Sequence, residues 1–355
     1  MEKKRIAIVN SIRPMAGAGD GVTEYAYQMY LQLKSKNKVD LVYAIERARK
    51  NDATGLLKVN SILSLKAKVA GMKDYDIFHV VNQEVGFAAK SIRDSNCDNK
   101  IVTTIHDMAR FESNLHGGLL QKVYNEIVKK NIQQAVENSN FLIFDSAQTM
   151  KAVKERFKVK HAAVVNIGID SRFSVKIKKK NRKDFVVGYI GSFARHKNAN
   201  MIFETATHLN RSNIKFVIYG IGAEYKNLAK FAHDNNLKNL KMMGFAPEES
   251  KVQIYDGFDV FVFPSMYEGF GLPILEAQAR GLPVIVNKCG KIPSEVKRYC
   301  IQADNSTDMA RVIEKLRIEG YDENRRSRAM EYARSFTWEK CATNTLKIYD
   351  QILSR

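Results

Sequence analysis

The chain has 355 residues, of which 45% are hydrophobic and 27% charged, a composition typical of globular proteins and unlike that of disordered or fibrous chains. A single hydrophobic core rarely grows to this length, so we expect two domains. The formal net charge of +19 predicts attraction to phosphate-bearing partners, whether nucleic acid, anionic lipid or a phosphorylated substrate. No apolar run approaches the roughly 20 residues of a membrane-spanning helix, and the N-terminus lacks a secretory pattern, so we expect a cytoplasmic protein.

The first half of the chain alternates short β-rich runs with amphipathic stretches. The pattern predicts a strand over Arg5–Asn10, a helix over Thr23–Lys34 and a second strand over Val39–Ala44. Further strands are predicted at Ile77–Val81, Ile101–Ile105, Phe141–Asp145 and Ala163–Ile167. This βαβ rhythm is typical of a parallel sheet with helices on both faces.

The same rhythm restarts after a basic run between Lys176 and Lys183. Strands are predicted at Phe185–Ile190, Lys215–Tyr219, Leu240–Met243, Val260–Phe263 and Pro283–Val286, and helices at Asn200–Leu209, Asp308–Arg317 and Asn324–Arg334. We therefore predict two Rossmann-like, doubly wound α/β domains facing a central cleft, with ligands at the carboxyl ends of the strands. The basic run lacks interleaved aromatic residues, which favours a solvated linker over a nucleic-acid site.

Two turns of the first half carry candidate functional residues. Gly17, Gly19 and Gly21 precede the first helix, where the backbone can approach a phosphate, although a flexible loop explains them equally well. His106 follows a predicted strand, where a polar side chain faces the crevice. A histidine whose hydrogen bonds are satisfied within a turn is the alternative.

The second half carries a basic turn and an acidic loop. Arg195 and Lys197 follow the first strand of that half, and cations beside backbone N–H groups suit a pyrophosphate, although a surface turn is an equal alternative. Residues 268–276 read Glu-Gly-Phe-Gly-Leu-Pro-Ile-Leu-Glu after an apolar strand. The two glycines free the main chain to approach a ligand, and the carboxylates of Glu268 and Glu276 are able to hold hydroxyl groups.

Some of these residues also fit other kinds of site. Glu268 and Glu276 also suit the acid/base pair of a glycoside hydrolase, but a glycosidic bond has no phosphate for the basic turn to bind. Asp74 and Asp76 have the Asp-x-Asp form of metal-dependent sugar transferases, yet they precede a strand and are interpreted as a turn. The four cysteines form no metal-ligand pattern and are expected to be reduced.

These motifs resemble those of the retaining glycosyltransferases of family four, which have the GT-B fold, and the resemblance runs over nearly the whole chain. Glu268 to Glu276 resembles the family's signature of two glutamates eight positions apart. Supporting matches are Thr104–Asp107, Asn166–Asp170, Gly191–Asn198, Tyr255–Ser265 and the last helix, Phe336–Tyr349. The implied domains are residues 1–170 for the acceptor, residues 171–335 for the nucleotide-sugar, and residues 336–355 as a helix that crosses back onto the N-terminal domain.

The resemblance also implies roles for single residues. Glu276 would hold the ribose hydroxyls of the donor and Glu268 a hydroxyl of the transferred sugar. The main chain of four consecutive residues would line the donor as well: Gly269, Phe270, Gly271 and Leu272.

Three further residues match ligand-binding positions of the family. Lys197 matches the family's pyrophosphate-binding lysine, Gly21 its first-loop glycine, and His106 the histidine beside the transferred sugar. Where many members carry an arginine after the glycine equivalent to Gly191, this chain has Ser192, so the resemblance leaves that charge to Arg195 or His196.

The implied activity is metal-independent, retaining transfer of a hexosyl group from GDP-mannose or a UDP-sugar to a glycan or lipid-linked acceptor. Lys197, Arg195 and backbone N–H groups would stabilise the leaving diphosphate, so no cofactor is expected. A sugar-nucleotide epimerase and a non-catalytic nucleotide-sugar-binding subunit remain alternatives. The basic amphipathic stretch between Leu56 and Lys73 predicts either a peripheral contact with an anionic membrane or a packed helix with a solvated face.

Overall fold

The computed structural model describes residues 3–13, 21–45, 59–112, 119–175, 184–210 and 213–354. The chain divides into two compact units. Unit 1 comprises Met1–Gly168 together with Trp338–Arg355, and unit 2 comprises Ile169–Thr337. The C-terminal segment therefore belongs to the same unit as the N-terminus.

Unit 1 is built on a sheet of six parallel strands. The strands are β1 (Arg5–Ile12), β2 (Lys38–Ile45), β3 (Ile77–Val80), β4 (Ile101–Ile105), β5 (Phe141–Phe144) and β6 (Ala162–Val164). Their order in the sheet is β2-β1-β3-β4-β5-β6, and every pairing is parallel. All residues of β3, β4 and β5 are buried, as expected when helices cover both faces of a parallel sheet.

Helices connect these strands. They are α1 (Gly21–Lys34), α2 (Val59–Ala70), α3 (Phe87–Ser95), α4 (Ala109–Glu112), α5 (Leu119–Asn138) and α6 (Ala147–Lys154). The C-terminal helix, Trp338–Leu353, packs against α1. Its buried residues recur every three or four positions, because one face of an α-helix repeats with that period.

Unit 2 repeats the architecture with its own six-stranded parallel sheet. The strands are β7 (Phe185–Ile190), β8 (Ile214–Tyr219), β9 (Leu240–Gly244), β10 (Val260–Phe263), β11 (Val284–Asn287) and β12 (Ile301–Ala303), in the order β12-β11-β10-β7-β8-β9. The helices are α7 (Asn200–His208), α8 (Tyr225–Asp234), α9 (Lys251–Asp256), α10 (Leu272–Ala279), α11 (Ser294–Lys297), α12 (Ser306–Glu319) and α13 (Glu323–Arg334). This strand order is that of dinucleotide-binding Rossmann folds.

The two parallel sheets confirm the predicted pair of doubly wound α/β domains. Each predicted strand is present, with ends that differ by at most three residues; for example, the strand predicted to end at Asp145 ends at Phe144. Helix α1 begins at Gly21 instead of Thr23. The sequence pattern missed β12, whose three residues are too few to show a period.

The basic stretch before Lys73 forms α2, whose Leu65 and Val69 are fully buried in the core of unit 1. Leu63 and Lys66 are exposed, so α2 is a packed helix with a solvated face. Leu56 to Lys58, Gly17, Gly19 and the basic run between Lys176 and Lys183 lie outside the described residues. Among the residues that the structure describes, no helix has the length and apolar character to cross a membrane.

Candidate active site

The topology of unit 2 predicts where its ligand binds. β7 lies at the centre of the sheet, with β8 on one side and β10 on the other. After β7 the chain continues to β8 on one side of the sheet, and β10 begins the series of strands on the other side. The connections after β7 and β10 therefore run to opposite sides, which opens a crevice at the carboxyl ends of these two strands. Open α/β sheets bind ligands at such switch points, so the loops after β7 and β10 are the candidate site.

These two loops are joined by hydrogen bonds. The loop after β7 forms a 3₁₀ turn, Arg195–Lys197, which ends at Asn198 in the left-handed conformation. The main-chain carbonyl of His196 accepts hydrogen bonds from the Met266 amide at 2.8 Å and from the Ser265 hydroxyl at 3.3 Å. The turn that carries Lys197 is thus held against the loop that carries Glu268.

Lys197 and Glu268 form an ion pair across the two loops. The Lys197 ammonium donates to both carboxylate oxygens of Glu268, at 2.7 and 2.9 Å. The side chains are only 20% and 8% exposed, and the ammonium also lies 5.7 Å from the centre of the Phe263 ring. Because little water reaches this pair, its charges interact more strongly than those of a surface salt bridge.

Helix α10 begins directly after this pair. Gly271 precedes the helix with φ of +106°, a conformation that a residue with a Cβ rarely adopts. Pro273 has no N–H, and the Ile274 amide donates to the Gly271 carbonyl at 3.0 Å, but the partial positive charge of a helix N-terminus still favours a negative charge in front of it. A basic side chain and a helix N-terminus therefore lie together at the switch point, which is the arrangement that binds phosphate groups.

Glu276 lies in the second turn of α10 and is almost completely buried. Its carboxylate accepts a hydrogen bond from the Tyr255 hydroxyl at 2.7 Å, and the Lys251 ammonium lies 3.8 Å away. Burial raises the pKa of Glu276, although Lys251 and Tyr255 act in the opposite direction. The Tyr255 side chain is fully buried, so it holds one carboxylate oxygen of Glu276 in a fixed orientation.

Unit 1 carries a second buried ion pair at the carboxyl ends of β4 and β5. His106 Nδ1 lies 2.6 Å from Asp145 Oδ2, and Nε2 lies 2.9 Å from the carbonyl oxygen of Val81. Nε2 donates to the Val81 carbonyl, and an ionised Asp145 carboxylate accepts from Nδ1; burial raises the pKa of Asp145, and the charge and hydrogen bond of His106 oppose that rise. Burial alone lowers the pKa of His106, but the charge and hydrogen bond of Asp145 outweigh it, and the pKa lies above its ordinary value.

A chain of buried polar groups runs beside this pair. The Tyr349 hydroxyl of the C-terminal helix lies 2.7 Å from His79 Nδ1, and His79 Nε2 lies 2.7 Å from the Thr104 hydroxyl. Tyr25 of α1 continues the chain with its hydroxyl 3.1 Å from Thr104 and its ring edge-on to His106, with 4.8 Å between ring centres. The C-terminal helix is thus connected through three other elements to the surroundings of His106.

Comparison with known proteins identifies the family of unit 2. Residues 170–336 match the model of the family described as glycosyl transferases group 1. This part of the chain belongs to the group 1 glycosyltransferases. O-antigen chain mannosyltransferase B of Escherichia coli is 35% identical over 113 residues, which are 31% of this chain and 30% of that protein.

Solved structures establish the fold of the whole chain. Sucrose-phosphate synthase from Thermosynechococcus elongatus aligns with a TM-score of 0.83 and 19% identity over 99% of this chain and 100% of that chain. HepE of Anabaena in complex with UDP-glucose aligns with a TM-score of 0.74 and 14% identity over 98% and 100% of the two chains. The chain has the GT-B fold that these glycosyltransferase structures share.

Within the group 1 domain, the predicted residues all lie in the loop after β7, in the loop after β10 or in α10. Lys197, Glu268, Gly271 and Glu276 belong to the loops and helix at the switch point, as do their neighbours Gly269, Phe270 and Leu272. Arg195 is 61% exposed, and its guanidinium lies 3.2 Å from the Glu224 carboxylate. Ser192 is exposed at the start of the same loop, and its carbonyl accepts a hydrogen bond from Tyr189.

The remaining predicted residues belong to unit 1. Gly21 is the first residue of α1, and a Cβ added there meets no atom within 4 Å. The Asp74–Asp76 segment is a bend, as predicted, because Asp74 has φ of +61° and Asp76 accepts a hydrogen bond from the Arg5 amide at 2.6 Å.

Two neighbours of the predicted residues were not singled out in the sequence. Asp145 follows β5 just as His106 follows β4, so the rule that selected His106 also applies to Asp145. Tyr255 lies in a stretch that matches the family, but nothing local indicates that its hydroxyl reaches Glu276.

Proposed function

We propose that the protein is a retaining, metal-independent glycosyltransferase that moves a hexosyl group from a nucleoside-diphosphate sugar to a hydroxyl of a glycan or lipid-linked acceptor. The observation that carries this proposal is the arrangement at the switch point of unit 2, where Lys197 pairs with Glu268 and where α10, the helix that carries Glu276, begins. A cation and helical N–H groups suit a diphosphate, and two carboxylates suit hydroxyl groups.

The donor is proposed to lie along α10. Glu276 accepts hydrogen bonds from the ribose hydroxyls, with its orientation maintained by Tyr255. Glu268 accepts one from a hydroxyl of the transferred sugar, and the main chain of residues 269–272 lines the same surface. Lys197 contacts the diphosphate, with Ser192 and either Arg195 or His196 beside it. Since Arg195 pairs with Glu224, a phosphate competes with that carboxylate for its guanidinium.

The proposed chemistry needs no protein nucleophile. As the bond between the anomeric carbon and the phosphate oxygen breaks, negative charge grows on the diphosphate, and Lys197 and the backbone N–H groups stabilise it in place of a metal ion. The acceptor oxygen bonds to the anomeric carbon from the same face, and a β-phosphate oxygen takes its proton. The products are the glycosylated acceptor, with retained anomeric configuration, and the nucleoside diphosphate.

Roles in unit 1 follow from the family resemblance and from the geometry of the histidine. With Asp145 ionised, both ring nitrogens of His106 donate, one to Val81 and one to Asp145, and the ring has no lone pair to accept a proton. We therefore assign His106 the role of a fixed positive charge for the transferred sugar, and Gly21 that of a backbone contact for the diphosphate.

GDP-mannose and UDP-sugars are the proposed donors. A relative named as a mannosyltransferase supports the first, and the solved complex of HepE with UDP-glucose supports the second. Donor-dependent thermal stabilisation across a panel of GDP- and UDP-sugars distinguishes them.

Removal of the ribose ligand tests the donor site. Glu276→Ala should abolish calorimetrically detectable binding of the stabilising nucleotide-sugar, because a buried carboxylate aimed at two hydroxyls is lost. Glu331→Ala, which removes an exposed carboxylate on α13 of the same unit, should bind like the wild type. Unchanged affinity in Glu276→Ala would place the nucleotide elsewhere.

An activity assay separates a transferase from the alternatives. A transferase releases nucleoside diphosphate in proportion to the acceptor glycosylated, whereas an epimerase interconverts nucleotide-sugars without any acceptor. A binding subunit does neither.

Contact with an anionic membrane surface is proposed for unit 1. The net charge of +19 and the solvated face of α2, with Leu63 57% exposed beside Lys66 and Lys68, support it. Co-sedimentation with phosphatidylserine vesicles at rising salt tests it. Binding should weaken as salt screens the charges, and equal binding to neutral vesicles would contradict an electrostatic contact.

A further inference from the structure

The ion pair between Lys197 and Glu268 joins the two groups to which the proposed function gives different parts of the donor. Lys197 is assigned to the diphosphate and Glu268 to the sugar, yet the ammonium donates to both oxygens of that carboxylate, at 2.7 and 2.9 Å. Both side chains are mostly buried. The charge of Lys197, the residue assigned to the diphosphate, is therefore neutralised by Glu268, the residue assigned to the sugar.

The nucleoside diphosphate product and the nucleotide-sugar donor differ in how they interact with Lys197 and Glu268. The terminal phosphate of the free diphosphate loses a second proton near pH 6, whereas the sugar ester cannot, so the product carries more negative charge than the donor. The product also lacks the sugar hydroxyls that donate to Glu268. The product therefore meets the Glu268 carboxylate as a charge of its own sign beside Lys197, while the donor supplies hydrogen-bond donors to that carboxylate.

We propose that Glu268 is the internal counter-ion of Lys197, and that re-formation of their ion pair after sugar transfer expels the nucleoside diphosphate. The inference rests on the proposed donor site and adds a second role for Glu268. Its consequence is selectivity: the carboxylate strengthens binding of the nucleotide-sugar and weakens binding of the nucleotide product.

The two glutamates of the site supply a matched comparison. Glu276 contacts Tyr255 and Lys251 instead of Lys197, so it does not neutralise the phosphate ligand. Replacing either carboxylate by its amide removes one negative charge from the same site. The two replacements should nevertheless change the affinity for a nucleoside diphosphate in opposite directions.

The test measures GDP and UDP binding by calorimetry on the wild type, Glu268→Gln and Glu276→Gln. Glu268→Gln should bind the nucleoside diphosphate at least about tenfold more tightly, because the carboxylate that repels the diphosphate and pairs with Lys197 is gone. Glu276→Gln should bind it more weakly. The affinity for the corresponding nucleotide-sugar should not rise in Glu268→Gln, since its sugar hydroxyls lose their acceptor.

The binding data distinguish an incorrect donor site from an incorrect counter-ion role. If the wild type binds neither GDP nor UDP, the proposed donor site is wrong and the counter-ion role falls with it. If the wild type binds one of them and Glu268→Gln binds it equally or more weakly, the donor site stands and the counter-ion role is refuted.

A second variant covers the case in which Glu268→Gln does not fold. Glu268→Asp keeps the charge but withdraws the carboxylate by one methylene group, which loosens the pair. It should tighten diphosphate binding in the same direction by a smaller factor. Unchanged or weaker diphosphate binding in Glu268→Asp would overturn the counter-ion role.

Discussion

The buried imidazole of His79 predicts how the stability of unit 1 depends on pH. One ring nitrogen lies 2.7 Å from the Tyr349 hydroxyl and the other 2.7 Å from the Thr104 hydroxyl. A neutral ring fits both, because it offers one donor and one acceptor. Burial lowers the pKa of His79 from 6.5 to about 3, and the charge of His106 acts in the same direction.

Acid should destabilise unit 1 through His79. The pKa of His79 is lower in the folded protein than in the unfolded chain, so acid favours the unfolded state, and stability is lost progressively as the pH falls below about 6.5. Each unit of pKa difference is worth about 1.4 kcal/mol. Between pH 7 and pH 5 the loss from His79 alone is therefore about 2 kcal/mol of unfolding free energy, a large share of the margin of a typical domain.

Urea unfolding followed by tryptophan fluorescence measures this loss. Trp338 is the only tryptophan of the chain, and it is buried in unit 1, so it reports on that unit. His79→Gln cannot be protonated but retains an amide donor and acceptor. We expect the variant to be less stable at pH 7, but its free energy of unfolding should fall by about 2 kcal/mol less between pH 7 and pH 5. Equal pH dependence in both proteins would refute the reasoning.

Two further predictions concern the groups that orient the site residues. Tyr255→Phe removes the hydroxyl that donates to Glu276, and we expect at least about tenfold weaker nucleotide-sugar binding by calorimetry, the scale of one hydrogen bond to a charged group. Wild-type affinity would show that the hydroxyl does not orient the carboxylate. Asp145→Asn leaves burial as the dominant influence on His106, so the pKa of the imidazole should fall below its ordinary value in an NMR titration of the ring C2 proton. A titration that matches the wild type would contradict the assigned ion pair.

Local sequence patterns predicted most of the secondary structure. The strands of both sheets are runs of apolar residues between polar turns, and α10 begins where two glycines and a proline follow an apolar strand. Glu268 and Glu276 follow in the same way, because both lie in that one short segment of the chain. Short elements such as β12 were missed, since three residues carry no detectable period.

The partners of the site residues did not follow from local patterns. Lys197 and Glu268 are 71 positions apart and meet because β10 lies beside β7 in the sheet. That neighbourhood depends on strand order, which is decided by the packing of whole βαβ units.

In unit 1 the interacting residues are even farther apart in the sequence. Tyr349 reaches His79 over 270 positions, because the C-terminal helix packs against α1. His106 and Asp145 each follow a strand, and either was recognisable alone as a polar residue at a strand end.

The sequence by itself therefore determined the two sheets, the acidic loop before α10 and the identity of the charged groups. Only the tertiary structure decided which charges neutralise one another: Lys197 with Glu268, and His106 with Asp145. The physical reason is that an ion pair depends on the distance between two side chains and on their burial. For residues far apart in the chain, both quantities are fixed by strand order and packing.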